Sequence, residues 1–289
     1  MARIKFGVST FVWYSPLTDD AVAEIAPRVA EWGFDAIELP LEAVGDWSPE
    51  RTREVLDQAG LQGLVGAVMP AGRELVSAPG AEIKATQQYL YACIDAAAVL
   101  GSPVVTGPVY ASVGRTWRLS ADERLSAVRE LRENLQPVVD YAAKNRVRIG
   151  LEPLNRYETS LVNTVEQALE IVEPLSPEGI GVTLDTYHMS IEEKSSAAAI
   201  RLAGARLVYL QVCANDRGAP GNDQIDWPGI GSALAKVDYH GFASIESFTS
   251  TNVTIATAAS IWRPLGASQD AIAQEGLTFL QKWGAEHFA

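Results

Sequence analysis

Four carboxylates lie at or near the ends of four apolar segments that are predicted to form β-strands. They are Glu38 in FDAIELP, Glu152 in VRIGLEP, Asp185 in GIGVTLD and Glu246 in FASIES. In a (β/α)₈ barrel the carboxyl ends of all strands meet at one mouth, so acids from distant parts of the chain would converge there. Carboxylates crowded in a cleft repel one another unless a cation neutralises them, and hard divalent cations prefer oxygen ligands. The pattern therefore predicts a metal-dependent site at the mouth of a barrel.

Three further polar residues could act with these acids. His188 lies three residues after Asp185 and could hydrogen-bond a sugar hydroxyl or bind a metal. Gln211, in YLQVCANDRG, can offer an amide oxygen to a hard cation, and Arg217 can direct its donors at substrate oxygens. Two glutamates, an aspartate and an amide oxygen would make an all-oxygen site, which suits Mn²⁺ or Mg²⁺ better than structural Zn²⁺.

Strand-like and helical segments alternate along the chain. The predicted strands span residues 4–9, 35–40, 64–69, 103–107, 147–153, 180–185, 206–211 and 243–248. Most are continuous apolar runs, which is typical of parallel strands buried on both faces. The 289 residues suit one α/β barrel, and no compositional break divides them. We therefore predict an α/β fold, a single (β/α)₈ TIM barrel forming one domain over residues 1–289, with the active site at the carboxyl ends of the strands.

The connecting segments support this interpretation. After the fourth strand, Leu125 and Val128 begin an apolar stripe with a period of 3.6 residues, and Ser120 with Glu123 has the pattern of a capping box. No glycine-rich turn follows the first strand, IKFGVST, so a doubly wound open sheet is the weaker alternative. The stretch 250–267 is long for a connection and is predicted to build part of the mouth.

The chain is acidic, with 23 Lys and Arg against 36 Asp and Glu and a net charge of −13. Nucleic acids and anionic membrane surfaces bind basic proteins, so neither is expected as a partner, and a small neutral substrate is favoured over a multiply phosphorylated one. No signal pattern and no apolar run of about 20 residues are found, which predicts a cytoplasmic protein without a membrane span. The two cysteines, Cys93 and Cys213, are too few for a disulfide framework or a cysteine-based zinc site.

Several segments together resemble one family of sugar-converting barrels. The chain is similar to the ketose 3-epimerase family, the D-tagatose and D-allulose 3-epimerase-like enzymes, in EPLNRYET, DTYHMSIEE, NDRGAPG, IESF and IWRPL. This family belongs to the xylose isomerase-like barrels, and the similarity runs from GVSTFVW to the last helix. The resemblance implies a divalent metal cofactor, with Mn²⁺ expected and Mg²⁺ or Co²⁺ as alternatives, and a homo-oligomer, either a dimer or a tetramer.

The resemblance also implies roles for individual residues. The metal ligands of the family correspond to Glu152, Asp185, Gln211 and Glu246, its acid/base pair to Glu152 and Glu246, and its substrate contacts to Glu158, His188 and Arg217. The chain departs from the family in the seventh strand, where Gln211 replaces the usual His ligand and Ala214 replaces a Glu. A glutamine can still coordinate a cation through its oxygen, but as a neutral and weaker ligand.

These observations predict a metal-dependent sugar epimerase or isomerase. The leading hypothesis is C3 epimerisation of a free ketose through a cis-enediolate, with Glu152 and Glu246 acting on opposite faces of the carbon. One alternative is elimination, as in a lyase or dehydratase, or aldose–ketose isomerisation, on a keto sugar or a 3-keto glycoside. Another is a non-catalytic sugar-binding barrel, which the presence of both glutamates disfavours.

Overall fold

The computed structural model describes residues 4–288, in which eight parallel strands close into a barrel. The strands are β1 (Lys5–Ser9), β2 (Ala36–Leu41), β3 (Gln62–Ala67), β4 (Val104–Gly107), β5 (Arg148–Leu151), β6 (Ile180–Asp185), β7 (Leu207–Val212) and β8 (Phe242–Ile245). Neighbouring strands pair in chain order, and β8 returns to pair with β1, where Phe242 lies opposite Lys5. The predicted single (β/α)₈ TIM barrel is confirmed.

Ten α-helices lie between and after these strands in residues 4–288. They are α1 (Asp19–Trp32), α2 (Pro49–Ala59), α3 (Gly80–Leu100), α4 (Ala121–Lys144), α5 (Val165–Val172), α6 (Thr186–Glu192), α7 (Ser196–Ala203), α8 (Trp227–Lys236), α9 (Val253–Ala258) and α10 (Gln269–His287). The capping box of Ser120 and Glu123 forms as predicted. Leu125, however, is 55% exposed, so its placement on a buried stripe is wrong. None of residues 121–126 is buried, and the buried face of α4 begins at Ala127.

No helix in residues 4–288 combines the length and the apolar character that crossing a bilayer would require.

The register between strands determines which side chains meet inside the barrel. Asp185 of β6 pairs with Gln211 of β7, which pairs in turn with Ser244 of β8. Side chains alternate between the two faces of a strand, so paired residues of parallel strands share a face and these three form one row. Thr183 lies two residues before Asp185 and therefore one level deeper on the same face. The row ends at the carboxyl ends of the strands, where the acids were expected.

Two of the three glutamates lie just past the ends of their strands, and the third lies within its strand. Glu152 and Glu246 each follow the last residue of β5 and β8, and their N–H groups still donate to Gly107 O and Val212 O, both at 3.1 Å. Glu38 was expected at a strand end, but β2 continues past it to Leu41 and pairs with β3 along that length. Glu38 therefore lies deeper in the barrel, where it is 1% exposed.

The segment after β8 borders the mouth of the barrel. Phe248, Ile255 and Ile261 form a small apolar cluster that packs against Phe11, whose ring lies edge-on to that of Phe248 at 6.1 Å. Segments that follow the strands of such a barrel lie at its carboxyl end, so this cluster forms part of the rim. This agrees with the expectation for residues 250–267.

Candidate active site

The four predicted metal ligands form one buried cluster. Asp185 is the last residue of β6 and Gln211 lies beside it in β7, while Glu152 and Glu246 directly follow β5 and β8. All four side chains are buried. Four consecutive strands therefore deliver four oxygen-bearing side chains to the same end of the barrel.

Arg217 is buried among these acids. Its Nη1 donates to Asp185 Oδ2 at 2.6 Å and to Glu246 Oε2 at 3.2 Å. The guanidinium lies between two aromatic rings, 4.1 Å from the centroid of Tyr187 and 4.6 Å from that of Phe248. Burial opposes its charge, but the field of Asp185 and its neighbours raises the pKa of Arg217 well above the usual value. The arginine is therefore charged and neutralises part of the acidic cluster.

The backbone of Arg217 is held in an unusual conformation. Its φ is +71°, in the left-handed region that non-glycine residues rarely adopt. Its N–H donates to Ala214 O at 2.9 Å, and its carbonyl accepts from the N–H of Phe248 at 3.1 Å. The loop after β7 and the segment after β8 thus maintain this strained residue together, as is common where a side chain must be aimed into a site.

Hydrogen bonds to His188 decide which ring nitrogen carries the proton. Its Nδ1 faces the backbone N–H and the Nδ2 of Asn155, both at 3.0 Å. The Asn155 amide cannot be reversed, because its Oδ1 accepts from the N–H of Tyr157 at 2.9 Å. Burial and then the charge of Arg217 lower the pKa of His188 well below the usual value, so the ring is neutral. Nδ1 is therefore an acceptor and Nε2 carries the proton.

This tautomer makes His188 a donor rather than a metal ligand. Its Nε2 lies 3.6 Å from Glu152 Oε1 and 3.7 Å from Asp185 Oδ2, and one ligand atom from each of the three residues lies within 4.8 Å of the others. That spacing could hold a metal, but a protonated nitrogen has no free lone pair to offer. Arg217 Nη2 also lies 3.1 Å from Nε2, and since both atoms carry hydrogen this contact is not a hydrogen bond. The geometry favours a hydrogen-bond donor role for the Nε2–H of His188 over metal ligation.

The surroundings of the buried carboxylates disfavour their charged forms. Burial raises the pKa of Glu152 well above the usual value, and the charges of Glu246 and Asp185 raise it further. Burial also raises the pKa of Glu246 well above its usual value and raises that of Asp185, although Arg217 acts against the shift in both. One arginine cannot neutralise three carboxylates, whereas an added divalent cation could.

Gln211 carries a buried acceptor that a cation could satisfy. Its Oε1 is buried and has no hydrogen-bond partner among residues 4–288, while its Nε2 donates to Glu246 Oε1 at 2.8 Å. An unsatisfied buried acceptor costs about 1–3 kcal/mol, and a cation would remove that cost. Glu152, Asp185, Gln211 and Glu246 offer the oxygen ligands that a hard divalent cation prefers. Among the acids and His188 of residues 4–288, the ligand atoms of Glu152, Asp185 and His188 lie within 4.8 Å of one another.

Glu158 lies at the edge of this cluster, in the loop after β5, and is partly exposed. Its Oε1 accepts from Asn155 Nδ2 at 2.7 Å, and the same nitrogen contacts His188 Nδ1. Asn155 thus connects two of the predicted substrate contacts. Sequence reasoning gave Asn155 no role, although its position in LNRYE, between Glu152 and Glu158, was a usable signal.

A second polar group lies against Gln211. Tyr209 donates its hydroxyl to Glu38 Oε2 at 2.6 Å, and the Nε2 of Gln211 lies 3.4 Å from each carboxylate oxygen of Glu38. Tyr209 was not singled out in the sequence. A residue two positions before Gln211 in a strand shares its face, so the alternation could have identified it.

Comparison with known proteins assigns this barrel to a family. The sequence pattern of the xylose isomerase-like TIM-barrel family matches residues 26–283. The chain belongs to that family, as the resemblance implied.

The most informative relatives are sugar epimerases. A Synechocystis protein named "Probable ketose 3-epimerase" is 31% identical over 282 residues, which cover 97% of this chain and 96% of that protein. The L-ribulose 3-epimerase of Mesorhizobium japonicum is 30% identical over 97% of this chain and 93% of its own length. A crystal structure of D-allulose 3-epimerase from Methylomonas sp. in complex with D-allulose has a TM-score of 0.89 and 26% identity, covering 98% of each chain. These relatives confirm the predicted enzyme class, an isomerase acting on carbohydrate.

Proposed function

We propose that the protein is a divalent-metal-dependent ketose 3-epimerase. The observation that carries the proposal is the pair of buried glutamates, Glu152 and Glu246, which come from strands separated by β6 and β7 and share one acidic cluster. Inverting a carbon that bears a hydrogen requires one group to remove the proton and another to return a proton from the opposite face. Relatives named as ketose, L-ribulose and D-psicose 3-epimerases support this reaction.

Glu152, Asp185, Gln211 and Glu246 would hold the cation, for which Mn²⁺ is our first choice because the ligands are all oxygens. When bound, the cation would polarise the C2 carbonyl of an open-chain ketose and so acidify the proton on C3.

The chain itself would supply the proton transfers and the positioning. One of Glu152 and Glu246 removes the C3 proton, and the other protonates the resulting cis-enediolate on the opposite face. The Nε2–H of His188 and the guanidinium of Arg217 are donors for sugar oxygens, and Glu158 can accept from a hydroxyl at the edge of the site. The acidic cluster, with a single buried arginine, favours a neutral sugar over a sugar phosphate.

The direct test is a panel of ketoses, aldoses and 3-keto glycosides incubated in D₂O with Mn²⁺ and followed by ¹H NMR. We expect a ketose to yield its C3 epimer with deuterium at C3, and EDTA to abolish the reaction. Loss of a β-substituent from a 3-keto glycoside would instead identify an elimination, and deuterium at C1 or C2 an aldose–ketose isomerase. Either result without C3 epimerisation would overturn the proposal.

A further inference from the structure

The amide of Gln211 is held on its nitrogen side by two carboxylates. Its Nε2 donates to Glu246 Oε1 at 2.8 Å and lies 3.4 Å from both oxygens of Glu38. These contacts occupy the donor side of the amide. Its Oε1 is buried and has no donor among residues 4–288.

This arrangement selects one of the two possible orientations of the amide. Turning it over would bring Oε1 against the carboxylates of Glu38 and Glu246, where oxygen lone pairs would repel one another. It would also leave the two N–H hydrogens without those acceptors in a buried site, which is costly. Glu38 belongs to β2, which is separated from β7 by β8 and β1 in the closed barrel. The orientation of the Gln211 amide therefore depends on closure of the barrel.

Glu38 is itself held in place by Tyr209. The hydroxyl of Tyr209 donates to Glu38 Oε2 at 2.6 Å, a short distance that is typical of a charge-assisted hydrogen bond. Both residues are fully buried, so water does not replace this contact. The connection runs from Tyr209 to Glu38 and from Glu38 to Gln211, and neither Tyr209 nor Glu38 contacts Asp185 or Glu152 through a hydrogen bond in residues 4–288.

We propose that Tyr209 and Glu38 are positioning residues that keep the nitrogen of Gln211 turned toward the carboxylates and so reserve its Oε1 as a ligand for the divalent cation. This inference rests on the proposed metal dependence of the site. Hydrogen-bond partners outside the coordination sphere fix the orientation of metal ligands. An amide depends on such a partner more than a carboxylate does, because only one of its two ends is an oxygen. The pair thus makes a neutral side chain usable as a metal ligand.

The test is a double-mutant cycle on cation affinity rather than on turnover. Mn²⁺ dissociation constants are measured by EPR for the wild type, Tyr209→Phe, Gln211→Leu and the double variant, with thermal unfolding in EDTA to check the fold. Tyr239→Phe is the matched control, because the buried Tyr239 hydroxyl also makes a hydrogen bond, to Phe242 O at 2.8 Å, at the amino end of β8.

We expect Tyr209→Phe to weaken Mn²⁺ binding on the order of tenfold, as is usual for loss of an orienting partner, and Tyr239→Phe to leave it unchanged. In the Gln211→Leu background the Tyr209 substitution should change the affinity by less than about twofold, because it acts through the amide. A crystal structure with Mn²⁺ should show Oε1 of Gln211, not Nε2, in the coordination sphere.

Two contrary results are distinguishable. A wild-type protein that binds no divalent cation would overturn the proposed metal dependence and this inference with it. A wild type that binds Mn²⁺, combined with a Tyr209 effect that is absent or equal in both backgrounds, or with a Gln211 amide turned away from the metal, would overturn only the positioning role.

Discussion

Glu152 and Glu246 occupy matching places, each one residue past its strand, yet their surroundings differ. Glu246 accepts hydrogen bonds from Gln211 at 2.8 Å and from Arg217 at 3.2 Å. The Glu152 carboxylate accepts no hydrogen bond from residues 4–288, and the His188 Nε2–H lies 3.6 Å away. Hydrogen bonds therefore fix the Glu246 carboxylate, which we call the braced side of the site. The Glu152 carboxylate has none from residues 4–288, and we call its side the open side.

This difference separates two tasks that the proposed reaction would assign to the same residue type. Donors favour the charged form of a carboxylate, so Arg217 and Gln211 stabilise Glu246 as an anion. Burial and the charges of Glu246, Asp185 and Glu158 raise the pKa of Glu152, and Arg217 lowers it without a hydrogen bond to the carboxylate. We therefore expect Glu152 to take up a proton more readily, and Glu246 to depend more on its partners.

The largest effect should come from removing either glutamate. Glu152→Gln and Glu246→Gln retain size while removing the base, so kcat should fall by at least about 10²–10⁴-fold. NMR in D₂O should show that a single variant can still introduce deuterium into one epimer without interconverting the two. Glu133→Gln, at an exposed position of α4, is the control and should retain activity. Near-normal turnover in both site variants would contradict the acid/base assignment.

Removal of Arg217 tests the braced side. Arg217→Gln leaves Asp185 and Glu246 without their buried partner, so urea denaturation in EDTA should show a loss of about 3–5 kcal/mol. Added Mn²⁺ should restore part of that loss, since the cation binds the folded state. Arg263→Gln, which breaks an exposed pair with Asp216, should change stability by no more than about 1 kcal/mol. Equal losses in the two variants would show that Arg217 does not brace the acids.

Gln211, the proposed neutral ligand, offers a third test. Gln211→His would supply the imidazole that the family usually has, so the affinity for Co²⁺ should rise on the order of tenfold, about 1.4 kcal/mol, and that for Mg²⁺ much less. Calorimetric titration with each metal measures the change, and the melting transition should persist. An unchanged affinity for both metals would place residue 211 outside the coordination sphere.

The smallest effect is expected on the open side. Asn155→Ala removes the side-chain link between His188 and Glu158 but keeps the backbone N–H that sets the ring tautomer. KM for the preferred ketose should rise by up to about tenfold, as for the loss of one hydrogen bond, with kcat nearly constant. A collapse of kcat comparable to that of Glu152→Gln would mean that the side chain, rather than the backbone, controls His188.

Strand positions and the acidic cluster could be predicted because they depend on local patterns. Continuous apolar runs marked β5 to β8, and the acids beside their ends followed from the geometry of a barrel. The depth of Glu38 could not be predicted in the same way, because β2 continues through a proline that usually ends a strand. The contact of Glu38 with Tyr209 depends on closure between residues 171 positions apart. Such long-range contacts leave no local signature in a single sequence.

The hydrogen bond from the backbone of Asn155 to His188 has a consequence for the evolution of the site. Side-chain mutations cannot delete a donor that belongs to the peptide group, and every residue except proline would supply the same N–H. Substitutions at position 155 can therefore change the side-chain contacts with His188 and Glu158 while the backbone N–H that favours one imidazole tautomer stays in place. The tautomer of His188 is thus set by a backbone group, which substitutions other than proline do not remove.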